Sequence, residues 1–135
     1  MSSAWELQTA AKAALAADAG LIALAGNPPR IFDAVPQNAA RPYLVFVEWQ
    51  TAEDDADDLR LDRHTFALRI SSEHQGLKEV KAIAAQVEAA LHARALTLAG
   101  FTLVDLAFLG AAFGREESET LSFGEVRFRA FTQAV

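Results

Sequence analysis

Carboxylates crowd into one short stretch of this chain, residues 48–62. The stretch has a single base, Arg60, and seven acids, namely Glu48, Glu53, Asp54, Asp55, Asp57, Asp58 and Asp62. The other residues hold 11 acids and 11 bases, so the formal net charge of -6 is the charge of this stretch. Acids at this spacing could bind a divalent cation, act as a catalytic pair, or form a charged surface for another macromolecule.

Calcium binding is the first chemistry to weigh, because carboxylates two residues apart can converge on a hard cation. An EF-hand loop counted from Asp55 would need glycine at position 60 and glutamate at position 66. The chain has Arg60 and Phe66 there, which excludes the EF-hand. Mutual repulsion favours a solvated loop over a metal site, and weak divalent binding is the alternative.

Acid–base catalysis by a carboxylate pair needs a cleft that fixes both groups and raises the pKa of one of them. Strand-like runs at 43–49 and 64–70 flank the acidic stretch and predict that it forms the tip of a β-hairpin. A hairpin tip is open to water and provides no such desolvation. The stretch therefore suits a docking surface or a pore lining better than an active site.

The other chemistry-bearing residues form no catalytic constellation. His64, His74 and His92 lack the close spacing that would place two imidazoles on one metal, so each is predicted to be structural. The chain has no cysteine, no phosphate-binding glycine loop with a lysine, and no Gly-x-Ser-x-Gly turn. We therefore expect no enzyme activity, no cofactor and no metal site.

Length and composition indicate one α+β domain spanning residues 1–135. The chain has a mass of 14.6 kDa and is 52% apolar, which is enough for a hydrophobic core. A pI near 5.0 disfavours a nucleic-acid reader held by phosphate contacts. The start of the chain lacks the features of a signal peptide, no run approaches the length of a membrane span, and the absence of cysteine fits a reducing cytoplasm.

The first quarter of the chain is predicted to be helical. Ser3 and Glu6 have the spacing of a capping box, which predicts a helix from Ser3 to about Ala16. Asp18 is predicted to cap a second, short helix that Gly26 ends. A short strand is expected at 30–33.

The rest of the chain is predicted to form an antiparallel sheet of about four strands, packed by the N-terminal helices and one long amphipathic helix. The strands are expected at 43–49, 64–70, 101–109 and 121–132, with a polar connection at 110–120. Ser72 and Gln75 suggest a capping box for the long helix. Its apolar stripe is Leu77, Val80, Ile83, Ala84, Val87 and Leu91, with Lys78, Lys81 and Glu88 turned outward.

Two further features could contact partners. Trp5 lies on the side of the first helix opposite Leu7, so it is either an exposed aromatic for another subunit or folded over a loop of its own chain. Arg127 and Arg129 share the polar face of the last strand. They could pair with acidic loops of a neighbouring copy, and an ordinary solvated face is the alternative.

The order of these elements resembles the tail terminator, or tail completion, family of long-tailed bacteriophages and gene transfer agents. The resemblance covers almost the whole chain and depends on the order and spacing of its pieces. These pieces are Asp-Ala-Gly-Leu-Ile-Ala-Leu at 18–24, Arg-Ile-Phe-Asp-Ala-Val-Pro at 30–36, Arg-Pro-Tyr-Leu-Val-Phe at 41–46, His-Thr-Phe-Ala-Leu-Arg-Ile-Ser-Ser at 64–72, Gly76 with Glu79 and Val80, and Val-Arg-Phe-Arg-Ala-Phe at 126–131.

The resemblance implies a structural virion protein at the head-proximal end of a phage-type tail. Such a protein forms a hexameric ring, ends polymerisation of the tail tube and joins the tail to the head. Its partners are further copies of itself, the tube protein and a head connector or stopper protein, with DNA passing through the lumen, and it assembles in the bacterial cytoplasm. The alternative from the residues alone is a small cytoplasmic α+β binding protein or enzyme with an unidentified small ligand.

Overall fold

The structure is a computed structural model that describes residues 2–55, 58–117 and 120–135. It contains three helices, α1 (Ser3–Ala16), α2 (Ala19–Ala25) and α3 (Lys78–Leu91). The strands are β1 (Ile31–Phe32), β2 (Tyr43–Glu53), β3 (Leu61–Ser72), β4 (Thr97–Leu98), β5 (Phe101–Arg115) and β6 (Ser122–Ala134). The α+β class predicted from the sequence is confirmed.

The described strands form one mixed sheet of six strands in the order β1-β2-β3-β6-β5-β4. The pair β1 and β2 is parallel, and every other neighbouring pair is antiparallel. The expectation of about four antiparallel strands was therefore wrong in detail. It missed β4, which is two residues long, and it did not foresee that the short strand beside β2 would run parallel to it.

The two N-terminal helices begin and end at polar or glycine residues. Ser2, rather than Ser3, caps α1, because its Oγ accepts a hydrogen bond from the amide of Trp5 at 3.3 Å. Asp18 caps α2 through the amide of Leu21 at 2.9 Å, and Gly26 ends α2 with a φ of 103°, as predicted. No single helix among the described residues is long and apolar enough to cross a membrane, although α1 and α2 taken together, with an 80° bend, reach that length and composition.

The long helix α3 packs its apolar stripe into the core. All predicted stripe residues from Val80 to Leu91 are buried, while Lys78 and Lys81 are exposed. The predicted capping box was wrong, because the residue before the helix is Leu77 and no side chain caps its amides. Ser72 is instead buried at the end of β3, where its Oγ donates to Glu79 at 2.7 Å.

Two strands run further than their apolar residues suggested. The predicted hairpin loop at 48–62 is shorter, since β2 continues to Glu53 and β3 begins at Leu61, so Glu48, Glu53 and Asp62 belong to strands. Similarly, β5 continues through 110–115, where a polar connection was expected, and pairs with β6 as far as Ser122. In both places backbone hydrogen bonds to a neighbouring strand extend the strand over small or polar residues that lack an alternating pattern.

The helices cover one face of the sheet and leave the other face open. On the covered face, Phe66 and Phe128 are fully buried, with ring centroids 5.6 Å apart, and belong to the same cluster as the buried residues of all three helices. Side chains alternate along a strand, so the neighbouring residues Ala67, Arg127 and Arg129 point to the opposite side. We call this second side the open face.

Candidate interface on the open face of the sheet

A chain of ion pairs crosses the open face. Arg127 contacts Glu48 at 2.6 Å and Glu125 at 3.6 Å. Glu125 also contacts Arg69 at 3.0 Å, and Arg69 reaches Glu116 at 2.9 Å. Strand register causes this arrangement, because Arg69 lies directly opposite Glu125 on β6 and Arg127 follows two residues later on the same side. These ion pairs thus link the end of β5 to the bulge of β2, which lies at Glu48 and Trp49 where the register with β3 shifts.

These ion pairs organise the surface more than they stabilise the fold. The side chains of Arg69 and Arg127 are 32% and 46% exposed, and ion pairs at such sites contribute at most about 1 kcal/mol each. Arg69 also stacks over the ring of Phe123, with its guanidinium carbon 4.1 Å from the ring centroid. Ala67, directly opposite Arg127 on β6, is fully buried although it lies on the open face. The result is a surface of alternating charges, in which two arginines contact three glutamates.

Arg129 is less completely paired than Arg127. Its guanidinium lies 3.7 Å from Asp105 on β5 and 5.4 Å from the ring centroid of Phe131. Its Nε atom is buried and has no hydrogen-bond partner among the described residues. A buried donor of this kind costs free energy unless another group satisfies it.

The two arginines predicted from sequence therefore lie side by side on the polar face of β6, where the alternation placed them. Within this chain they pair with Glu48 and Asp105, and their contact with a neighbouring copy stays a prediction. Sequence reasoning did not single out Arg69, Glu116 or Glu125 as site residues. The alternation in β6 places Glu125 on the same face as Arg127, but only the register between strands brings Arg69 to it.

The hairpin that joins β2 to β3, which we call the acidic hairpin, is held by hydrogen bonds and an ion pair at its base. Asp54 contacts Arg63 at 3.1 Å, and its amide donates to the carbonyl of Leu61 at 2.8 Å. Asp55 accepts a hydrogen bond from the amide of Leu61 at 3.1 Å. Among the other candidate acids, Glu53 and Asp58 are exposed, and Asp57 lies outside the described residues. These contacts thus compensate part of the negative charge of the hairpin, while Glu53 and Asp58 are exposed to solvent.

Trp5 is exposed on the surface of α1. Its relative exposure is 55%. The same turn of α1 is anchored to the acidic hairpin, because Ser3 Oγ donates to Asp62 at 2.7 Å. The structure thus places Trp5 on a helix that is held against the base of the hairpin, away from the arginines of the open face. Its role in a subunit contact stays a prediction.

His64 is a structural residue of the covered face. Its ring is fully buried, with Nδ1 3.0 Å from Thr51 Oγ1 and Nε2 2.9 Å from Thr132 Oγ1. Burial lowers the pKa of His64 below its ordinary value of 6.5, and the charge of Asp62 opposes this effect. The imidazole therefore joins β2 to β6 in its neutral form. No group of three or more His, Asp or Glu among the described residues is placed to hold a metal ion.

A polar depression of about 560 Å³ lies at one end of the open face. It is lined by Arg41, Tyr43, Val45, Arg69, Ser71, Glu116, Glu117 and Leu121. Its two arginines are already engaged, because Arg41 Nε donates to Ser71 at 2.9 Å and Arg69 pairs with Glu116. This depression is a place where a small ligand could bind, as the alternative function requires, but it contains no arrangement of nucleophile and base.

These features define a class: a small α+β assembly module with one face of its sheet covered by helices and the other presenting paired charges. The family model described as "Tail completion protein gp17" matches residues 9–133, and the chain therefore belongs to the tail completion protein family, whose members are structural proteins of phage tails. The resemblance found in the sequence is thus confirmed.

A solved structure supports the same assignment. A chain of the structure described as "Virion of native gene transfer agent (GTA) particle" is 31% identical, with a TM-score of 0.87 and 97% of each chain covered. No individually curated protein sequence matches this chain. The family and the fold are therefore shared with a component of an assembled virion.

Proposed function

We propose that this chain forms a ring, six copies in size, at the head-proximal end of a phage-type tail. The ring ends polymerisation of the tube, provides the surface that joins the tail to the head, and lets DNA pass through its lumen. The observation that carries this proposal is the 31% identity, over 97% of both chains, to a component of a gene transfer agent virion. The partners are the tube protein, a head connector or stopper protein, and other copies of the chain.

The distribution of charge is compatible with such a ring. A closed ring requires a heterologous interface, in which each copy presents two different surfaces to its two neighbours. The exposed Trp5 on α1 and the paired charges of the open face are chemically different surfaces of a single copy. The ion pairs of the open face join three arginines to four carboxylates, so a lumen lined by this face would not hold DNA phosphates.

Deletion of the gene in a strain that produces the particles tests this function. We expect tubes of irregular, excess length and full heads without attached tails, both restored by the gene supplied separately. Electron microscopy of the lysate measures tail length and attachment together. Normal tails on normal heads would contradict the proposal. They would favour the small-ligand alternative, which equilibrium dialysis against metabolite mixtures would then examine at the depression beside Arg41.

A further inference from the structure

The sheet has two uncovered edges, one on each side. On one side β1 pairs only with Leu44 and Val45, which leaves residues 46–53 of β2 paired with β3 alone within the described chain. On the other side β4 pairs only with Phe101 and Thr102. We call residues 46–53 the β2 free edge. An uncovered edge exposes backbone amides and carbonyls that another strand can bind.

The uncovered part of β5 begins after Phe108. The connection that follows α3 covers the middle of the strand, since the carbonyl of Leu106 accepts from the amide of Ala93 at 2.8 Å and the amide of Phe108 donates to His92 Nδ1 at 3.0 Å. From Leu109 onward β5 pairs only with β6 among the described residues. We call residues 109–115 the β5 free edge.

The β5 free edge lacks the usual protection of an exposed strand. Proteins guard such edges with lysine, proline or inward-pointing charges, but residues 109–114 are Leu-Gly-Ala-Ala-Phe-Gly and contain no charge. Leu109 is the extra residue of a β-bulge and is 49% exposed. Left uncovered, this segment would be a site of aggregation. The observation indicates that another chain covers it in the assembly.

We propose that the β5 free edge of one copy pairs in antiparallel fashion with the β2 free edge of the next copy, so that the sheets join around the ring. This inference rests on the proposed function, since it needs a ring. The directions agree, because β2 and β5 run oppositely within one sheet, and a rotation about an axis along the strands keeps those directions in every copy. The lengths also agree, with seven and eight residues.

The two free edges lie at different heights, and this offset has the size that a closed sheet needs. The register runs from Ala112 through Glu125 and Arg69 to Val45. Ala112, in the middle of the β5 free edge, is therefore displaced along the strands by four to five residues from the middle of the β2 free edge. Pairing of the two edges therefore displaces each copy relative to its neighbour by about 13–17 Å along the strand direction. The four long strands of one copy span about 19 Å across the sheet. The resulting tilt of about 35–40° is that of closed β-barrels. Six copies would give a tube about 45 Å across between backbones.

Closure in this way would turn the open face toward the lumen, because the bulkier helices fit on the outside. The lumen would then be lined by the ion pairs of Arg69, Arg127 and Arg129.

Disulfide trapping tests the pairing directly, since the chain contains no native cysteine. Gln50 and Ala112 lie on the open face about 20 Å apart within one chain, too far for an internal disulfide. Under the proposal, the double variant Gln50→Cys and Ala112→Cys, or Ala52→Cys and Ala112→Cys, forms covalent multimers on oxidation of assembled rings. Lys12→Cys with Ala112→Cys, where Lys12 is an exposed residue of α1, is the matched control and stays monomeric on a non-reducing gel.

A charge variant provides an independent readout. Ala111→Lys should abolish ring formation, while Thr102→Lys, on the part of the same strand that β4 covers, should not. Rings that form normally with Ala111→Lys and give no crosslink in either cysteine pair would overturn the inference and leave the proposed function standing. Crosslinked dimers from Ala112→Cys alone would show that β5 pairs with itself. If the native chain never forms rings on tail tubes, both proposals fail.

Discussion

At the scale of single residues, His64 makes the stability of the protein depend on pH. The pKa of His64 is lowered by burial in the folded state, so the unfolded chain binds the proton more tightly. The contribution of the neutral ring is therefore full above about pH 6.5 and is lost as the pH falls through the lowered pKa. We expect the free energy of unfolding in urea to fall between pH 7.5 and 5.5 by more than it does for His64→Gln.

The matched variant separates this effect from the titration of surface carboxylates, which both proteins share. Replacing His64 by Gln keeps a polar side chain between Thr51 and Thr132 while removing the ionisable ring. An equal pH dependence in the two proteins would show that His64 has the same pKa in the folded and unfolded states, and would contradict the lowering of its pKa by burial.

At the scale of elements, α3 supplies the helical side of the core. Ile83 is fully buried in the middle of its stripe, whereas Lys81 is exposed. Ile83→Asp should bury a carboxylate without a partner and leave little folded protein, because such a group costs several kcal/mol. Lys81→Asp should alter the free energy of unfolding by about 0.5 kcal/mol or less. Equal melting temperatures for the two variants would mean that the buried face of α3 is misplaced.

Elements with a strong local pattern could be predicted from the sequence, and elements defined by pairing could not. The apolar stripe of α3 and the caps Asp18 and Gly26 depend on residues close together in the chain, so the sequence was enough to predict them. The extension of β5 through residues 110–115 depends on β6 beside it, and the segment itself shows no alternation. Likewise, the alternation of β6 placed Arg127 and Arg129, while their partners on β2 and β5 required the register.

At the scale of the whole molecule, the open face discriminates between two arrangements of the ring. Replacing Arg127 and Arg129 by Glu removes three partly exposed ion pairs, which should leave the fold intact because each contributes little. If the open face lines the lumen, rings of the double variant form and DNA delivery slows, since negative charge has been added along the path. Loss of rings in native mass spectrometry, with the monomer still folded, would place this face between subunits instead.

The proposed role requires that the chain close into a ring where the tail meets the head. Cryo-electron microscopy of intact particles that carry this chain is the most direct measurement of that claim. We predict density that fits this fold in a closed ring at the head-proximal end of the tube, with β5 of each copy beside β2 of the next. Density for this chain only at another part of the particle, or as isolated monomers without a ring, would contradict the account.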